Sequence, residues 1–191
     1  NATGLELNPE NVKFAISWAE KYEIEPPAII IGNIEEYYEE EKYDIIIAQS
    51  VFEHVKNWRK GLENIFRSLK RGGIFYFVST NKFSIKQGEY SLPFYSWLPN
   101  KLRYKLRIAL QGPRIMECGI DFNQFTYSGL RKYFKEQGYS RVMDIIEFID
   151  VNNLKTPTPL KIQLITVSKK IGLIKKLILL FAPVTEFICI K

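Results

Sequence analysis

The chain has 191 residues, 46% of them hydrophobic and 25% charged. That is the make-up of one ordinary globular domain, and it excludes a disordered, collagen-like or disulfide-scaffold protein. The net charge of +6 is uneven: residues 1–54 carry three Lys/Arg against twelve Asp/Glu (net −9), and residues 55–191 carry twenty-four against nine (net +15). So basic a second part invites an anionic partner: membrane headgroups, nucleic acid or an acidic substrate.

The first element is a short apolar stretch, residues 3–7. No basic start or apolar leader precedes it, so no secretory signal is expected. Asn8-Pro9-Glu10 then has the marks of a helix start: a capping side chain, proline at the first position and an acid near the positive dipole end. Val12, Ala15, Ile16 and Ala19 follow at helical spacing and predict one buried face. Pro26-Pro27 ends that pattern, and residues 28–31 read as a short buried strand closed by Gly32-Asn33. After an acidic turn over 35–41, residues 43–49 (YDIIIAQ) are almost wholly apolar, as in a strand buried on both faces of a parallel sheet.

Leu62, Ile65, Phe66 and Leu69 make a second helical stripe, with Lys70-Arg71-Gly72-Gly73 as its predicted basic end and glycine cap. Residues 74–79 (IFYFVS) return to strand character. Residues 80–120 then break the alternation with a long, aromatic, basic stretch. The rhythm resumes at Thr126, a predicted cap for a helix burying Tyr127, Leu130, Tyr133 and Phe134 and ending at Gly138. Strands are expected over 141–151 and 186–190, with a basic, apolar segment over 161–181 between them. Alternating strands and helices predict an α/β domain with a parallel sheet, a single unit over 1–191 with 80–120 as an insert.

The apolar run 177–184 is far short of the roughly 20 residues that span a bilayer, so an interfacial helix is the only membrane element left open. Cys118 and Cys189 cannot alone make a disulfide framework or a zinc site, and no ligand cluster supports a metal.

Five stretches, in order, resemble the class I S-adenosylmethionine (SAM)-dependent methyltransferases, of the broad group that includes ubiquinone-type O-methyltransferases. They are Thr3-Gly4-Leu5-Glu6-Leu7-Asn8-Pro9; Gly32-Asn33-Ile34-Glu35; Tyr43-Asp44-Ile45-Ile46-Ile47 running into Val51-Phe52-Glu53-His54-Val55; Leu69-Lys70-Arg71-Gly72-Gly73 with strand 74–79; and Phe125-Thr126-Tyr127 through to Gly138-Tyr139. The resemblance implies a Rossmann-like, mostly parallel sheet with an antiparallel C-terminal strand. It also implies that the family's first strand and glycine-rich loop lie ahead of residue 1, so the domain is expected to be N-terminally truncated and to bind SAM poorly by itself.

The cofactor implied is SAM. Glu6, at a strand end with Leu7 after it, takes the place of the carboxylate that accepts from the ribose hydroxyls. Asn33 stands where the family usually has Asp facing the adenine amino group, and Ile34 offers the neighbouring N–H and an apolar wall. Ala48 and Gln49 take the places that line the methionine and methyl end. His54, Tyr90 and Glu53 are the weak candidates for a base.

The insert has aromatic residues beside Lys101, Arg103, Lys105 and Arg107, a pattern suited to an anionic membrane surface through 82–110, with 169–181 as a second face. Nucleic acid is the less favoured partner, since no base-reading motif appears. The reading is a methyltransferase acting on a small or lipid-linked acceptor at oxygen, in the cytoplasm or peripheral to a membrane. Its rival is a non-catalytic module of the same fold that binds a membrane or partner.

Overall fold

The computed structural model describes residues 2–85, 93–113, 123–154, 156 and 158–191. The elements in order are β1 (Thr3–Glu6), α1 (Pro9–Lys21), β2 (Ala28–Ile31), β3 (Tyr43–Gln49), α2 (Trp58–Ser68) and β4 (Leu69–Thr80). A 3₁₀ turn (Tyr95–Trp97) and α3 (Asn100–Gln111) lie in the insert. After it come α4 (Tyr127–Glu136), β5 (Arg141–Asp144), α5 (Ile145–Phe148), a second 3₁₀ turn (Val151–Asn153), α6 (Pro159–Lys170), α7 (Gly172–Phe181) and β6 (Val184–Ile190).

The strands form two groups. β1 and β2 pair in parallel, Thr3 to Ala28 through Glu6 to Ile31. The other four are ordered β3-β4-β6-β5. β3 and β4 are parallel, while β6 runs antiparallel to both of its neighbours, β4 and β5. This is the expected α/β architecture, with its antiparallel strand being the C-terminal one. The larger sheet owns the core. Phe75 and Phe77 of β4, Phe134 of α4 and Phe187 of β6 are fully buried, with Leu62 and Ile65 of α2 packed against them. Their rings meet edge to face, Phe77 with Phe134 at 5.4 Å and Phe134 with Phe187 at 5.5 Å, a geometry that adds to the area buried.

The capping residues act as their types dictate. Asn8 Oδ1 accepts from Glu10 N–H at 3.0 Å and Thr126 Oγ1 from Gly129 N–H at 3.2 Å. Five expectations need correction. The strand expected over 141–151 stops at Asp144, because Asp144 caps α5 in a reciprocal box with Glu147, which redirects the chain into a helical turn. The glycines expected to cap α2 do not: Leu69 leaves the helix in extended conformation, and Gly72 (φ +76°) and Gly73 belong to the start of β4. A Cβ on Gly73 would lie 2.8 Å from Lys70 O, so only glycine fits this strand entry. Of the α1 stripe, Val12 and Ala19 are buried but Ile16 is exposed, because a two-stranded sheet is too narrow to cover the whole face. Finally, β2 is not the buried strand expected, with Ile31 57% exposed, and β3 is not buried on both faces: Ile45 is 60% and Ile47 66% exposed. For β3 the reason is a groove between β1 and β3, whose facing edges pair with no strand among the described residues.

Candidate functional site

In an open α/β sheet the ligand lies beyond the carboxyl ends of the strands. Here the ends of β1, β2 and β3 form one rim, and the groove between β1 and β3 opens beneath it. The groove has a volume of about 630 Å³ and apolar walls from Leu5, Ile34, Ile46, Ala48 and Phe52 among others. Ile34 and Ala48, two of the six expected cofactor residues, both line it. Glu6, Leu7, Asn33 and Gln49 are not in its wall but at the strand ends above.

Glu6 closes β1 and faces the end of β2, where Gly32 N–H donates to Glu6 O at 3.0 Å. Its carboxylate is oriented by α1: Oε1 accepts from Asn8 N–H at 2.8 Å and from Asn11 Nδ2 at 3.1 Å. Oε2 takes no bond from a described residue, which leaves it for a diol. Leu7 is well exposed beside it. Asn33 starts a tight turn, in which Oδ1 accepts from Glu35 N–H at 2.9 Å and the backbone carbonyl from Glu36 and Tyr37 N–H. The side-chain oxygen thus serves the turn first, and any ligand must share it through its second lone pair.

Ile34 is held from the far side by α2. Asn64 Nδ2 donates to Ile34 O at 2.8 Å, and Asn57 N–H donates to Glu35 Oε1 at 3.2 Å. Gly61 permits this approach: a Cβ there would sit 2.9 Å from Phe52 Cε1 and 3.3 Å from Ile34 Cγ2.

At the end of β3, Ala48 is buried, Gln49 is exposed, and Ser50 adopts the left-handed region (φ +54°) with its N–H on Val78 O at 2.9 Å. A non-glycine residue there stores backbone strain of the kind that gathers at functional strand ends. The loop after it is clamped by Asn123, whose Nδ2 donates to Phe52 O (3.0 Å) and Val55 O (2.6 Å) and whose N–H donates to Glu53 O (3.0 Å).

The three base candidates separate. Glu53 is 0% exposed, and its Oε2 accepts from Ser79 Oγ at 2.6 Å, which ties the loop to the end of β4. His54 is half-buried on the same loop, its N–H on Val51 O at 3.0 Å. Tyr90 lies outside the described residues. Asn64, Ser79 and Asn123 were not anticipated. Their only sequence signal is a small polar residue next to an apolar strand or helix face.

At the opposite end of the groove, the Tyr37 and Tyr43 hydroxyls both donate to Glu39 Oε2. The hydrogen bond from Lys42, then those from the tyrosines, pull the Glu39 carboxyl down to about 2. Burial first, and then the bond to Glu39, push the Tyr37 hydroxyl well above its ordinary value. Neither titrates near neutral pH, so this end is structural.

Residues 1–77, the part that builds this rim, match the family model described as a methyltransferase domain. No curated protein matches the sequence. Among solved structures, the chain is similar to the YcgJ protein from Bacillus subtilis (15% identity, TM-score 0.57, 99% of this chain and 81% of that one). It is similar also to a SAM-dependent methyltransferase from Archaeoglobus fulgidus (14%, TM-score 0.55, 99% and 75%). A third is phosphoethanolamine N-methyltransferase 2 of Haemonchus contortus, in complex with S-adenosyl-L-methionine (14%, TM-score 0.58, 99% and 43%). Residues 1–77 thus match a methyltransferase domain, and the chain as a whole shares the fold of these SAM-dependent methyltransferases.

Proposed function

We propose that this chain is a class I SAM-dependent methyltransferase, that the methyl acceptor is a small or lipid-linked molecule and that transfer is to oxygen. The observation behind the site is the rim itself: one apolar groove with the Glu6 carboxylate at the strand end above it, whose Oε2 takes no bond from a described residue. SAM supplies a sulfonium methyl; an acceptor lone pair forms the new bond to its carbon as the C–S bond breaks, and S-adenosylhomocysteine leaves. On this reading Glu6 holds the ribose hydroxyls, and the turn at Asn33-Ile34 presents the adenine with a wall and an N–H. Ala48 leaves room for the methionine end. Gln49 contributes through its backbone, its side chain being exposed. The protein's contribution is positioning in a dry pocket. Where the acceptor must lose a proton, His54 is the better placed of the described candidates, since Glu53 is committed to Ser79.

That the facing edges of β1 and β3 pair with no strand among the described residues supports a further part of the reading. A parallel strand seated between them, followed by a glycine-rich turn at the rim, would pair both edges and complete the cofactor cradle.

The test is a transfer screen with labelled SAM against quinol, phenolic and glycan-lipid pools, using the full-length protein. Label recovered as an alkali-stable methyl ether supports the reading. Label on nitrogen or carbon overturns the choice of oxygen. If no acceptor is labelled and SAM is not bound, the rival reading as a non-catalytic module replaces it.

A further inference from the structure

Two helices of this protein are turned inside out. A surface helix ordinarily buries its apolar stripe and shows charge to water. In α3, Arg103 (0% exposed) and Arg107 face inward at i, i+4, while Leu102, Ile108 and Leu110 (64%) face out. In α7, Leu179 is buried in the core, and one turn earlier on the same inner line stands Lys175, whose Nζ is 3.1 Å from the buried Asp144 Oδ2 and 2.6 Å from Glu147 Oε1. The opposite line of α7, at i, i+4 and i+8, is Leu173 (70% exposed), Leu177 and Phe181.

The two inverted surfaces meet. Trp97, just ahead of α3, stacks on Phe181 at the end of α7, with centroids 6.2 Å apart and planes at 21°. Phe94 packs edge-on against Trp97 at 5.3 Å, and all three rings are substantially exposed. Asn81 fixes the joint to the sheet: its Nδ2 donates to the carbonyls of Leu179, Leu180 and Ala182. An apolar band this long is unusual on a protein that meets only water.

Its charge says what it faces. Residues 93–113 and 158–184 hold nine Lys/Arg and no Asp/Glu. Lys101, Lys105, Lys161, Lys169, Lys170 and Lys176 are exposed. We propose that this face, centred on Trp97, Leu177 and Phe181, docks on an anionic lipid surface, the rings and leucines entering the headgroup boundary and the lysines binding phosphates. A two-fold contact with a second copy would set a uniformly basic face against itself, which charge opposes. No described helix is long and apolar enough to cross a membrane, so the contact lies in the interface plane. The inference stands apart from methyl transfer, because none of its residues belongs to the cofactor rim.

The experiment is co-sedimentation of the full-length protein with phosphatidylcholine vesicles, with and without phosphatidylglycerol, at low and high salt. It is run alongside calorimetry with S-adenosylhomocysteine. Binding only to the anionic vesicles, about tenfold weaker at high salt, is expected. The doubly substituted Leu173→Asp/Leu177→Asp protein should lose about tenfold in vesicle affinity while melting and binding S-adenosylhomocysteine as the parent does. Should it melt early, Lys101→Glu/Lys176→Glu provides the same comparison. Binding to neither vesicle, equal binding by both substituted proteins, or a lipid-free dimer that the Asp substitutions dissociate would overturn the proposal. A protein that sediments with vesicles but gives no heat with S-adenosylhomocysteine leaves the docking face standing and removes the cofactor reading instead.

Discussion

The β3-β4-β6-β5 sheet and the β1–β2 pair are built on the same strand–helix logic but are finished to different degrees. The first has a filled centre: Phe75, Phe77, Phe134 and Phe187 pack there, and Lys191 donates to Leu69 O at 2.8 Å. Between the second and β3 lies a groove of about 630 Å³, with an edge on each side that pairs with no strand among the described residues. The contrast teaches where stability and where binding reside. The four-stranded part carries the core, and the β1–β2 pair together with the outer edge of β3 frames the groove.

The contrast breaks most sharply at Phe134. Phe134→Ala should cost about 4 kcal/mol in urea unfolding, the usual price of a ring removed from a filled core. A loss below about 1 kcal/mol would mean that the aromatic centre is not what holds the sheet. Next is Asp144, fully buried, with Tyr127 Oη at 2.7 Å, Arg131 Nη1 at 2.5 Å and Lys175 Nζ at 3.1 Å. Asp144→Ala leaves Arg131 and Lys175 with Glu147 alone and removes a buried acceptor from Tyr127, and it is expected to cost about 3 kcal/mol.

Glu147 extends the same network and gives it a pH signature. Burial alone would raise its carboxyl, but the hydrogen bonds from Arg131 and Lys175 outweigh burial and bring it from 4.5 down to about 2. A folded value below the unfolded one stabilises at higher pH, so this contribution is complete above pH 4.5 and disappears as pH falls toward 2. Glu147→Gln should flatten the acid limb of the melting curve over that interval, and an unchanged limb would contradict the assignment.

Smaller effects belong to the groove side. Gly61→Ala should push Phe52 and Ile34 into the groove, at a cost of about 1–2 kcal/mol and with weaker S-adenosylhomocysteine binding. Ile47→Ser, at an exposed position, should stay within about 0.5 kcal/mol of the parent in the 191-residue chain. A cost near 2 kcal/mol would show that something fills the groove against β3.

Much of this was legible in the residues. Asn8 and Thr126 cap the helices they were expected to cap, and YDIIIAQ is a strand with the expected bounds. What periodicity could not show was burial, because burial depends on neighbours. Ile45 and Ile47 have the composition of a core strand yet face a groove, and Arg103 has the composition of a surface residue yet is wholly enclosed. Among the expected site residues, Glu6 ends β1, Ala48 lies just before Gln49 at the end of β3, and Asn33 and Ile34 lie in the turn after β2. The clamps were invisible because each joins segments far apart in the chain: Asn64 to Ile34, Asn123 to Phe52 and Ser79 to Glu53. Position 90 lies outside the described residues.

The central claim is that the carboxyl ends of β1, β2 and β3 hold the nucleoside part of the cofactor, with Glu6 on the ribose. Calorimetric titration of the full-length protein with S-adenosylhomocysteine tests it most directly, comparing the parent, Glu6→Ala and, as a control on the outer part of α1, Glu20→Ala. The account predicts saturable binding by the parent and by Glu20→Ala, and at least about tenfold weaker binding by Glu6→Ala with an unchanged melting temperature. No heat from the parent, or equal affinity in all three proteins, would contradict it.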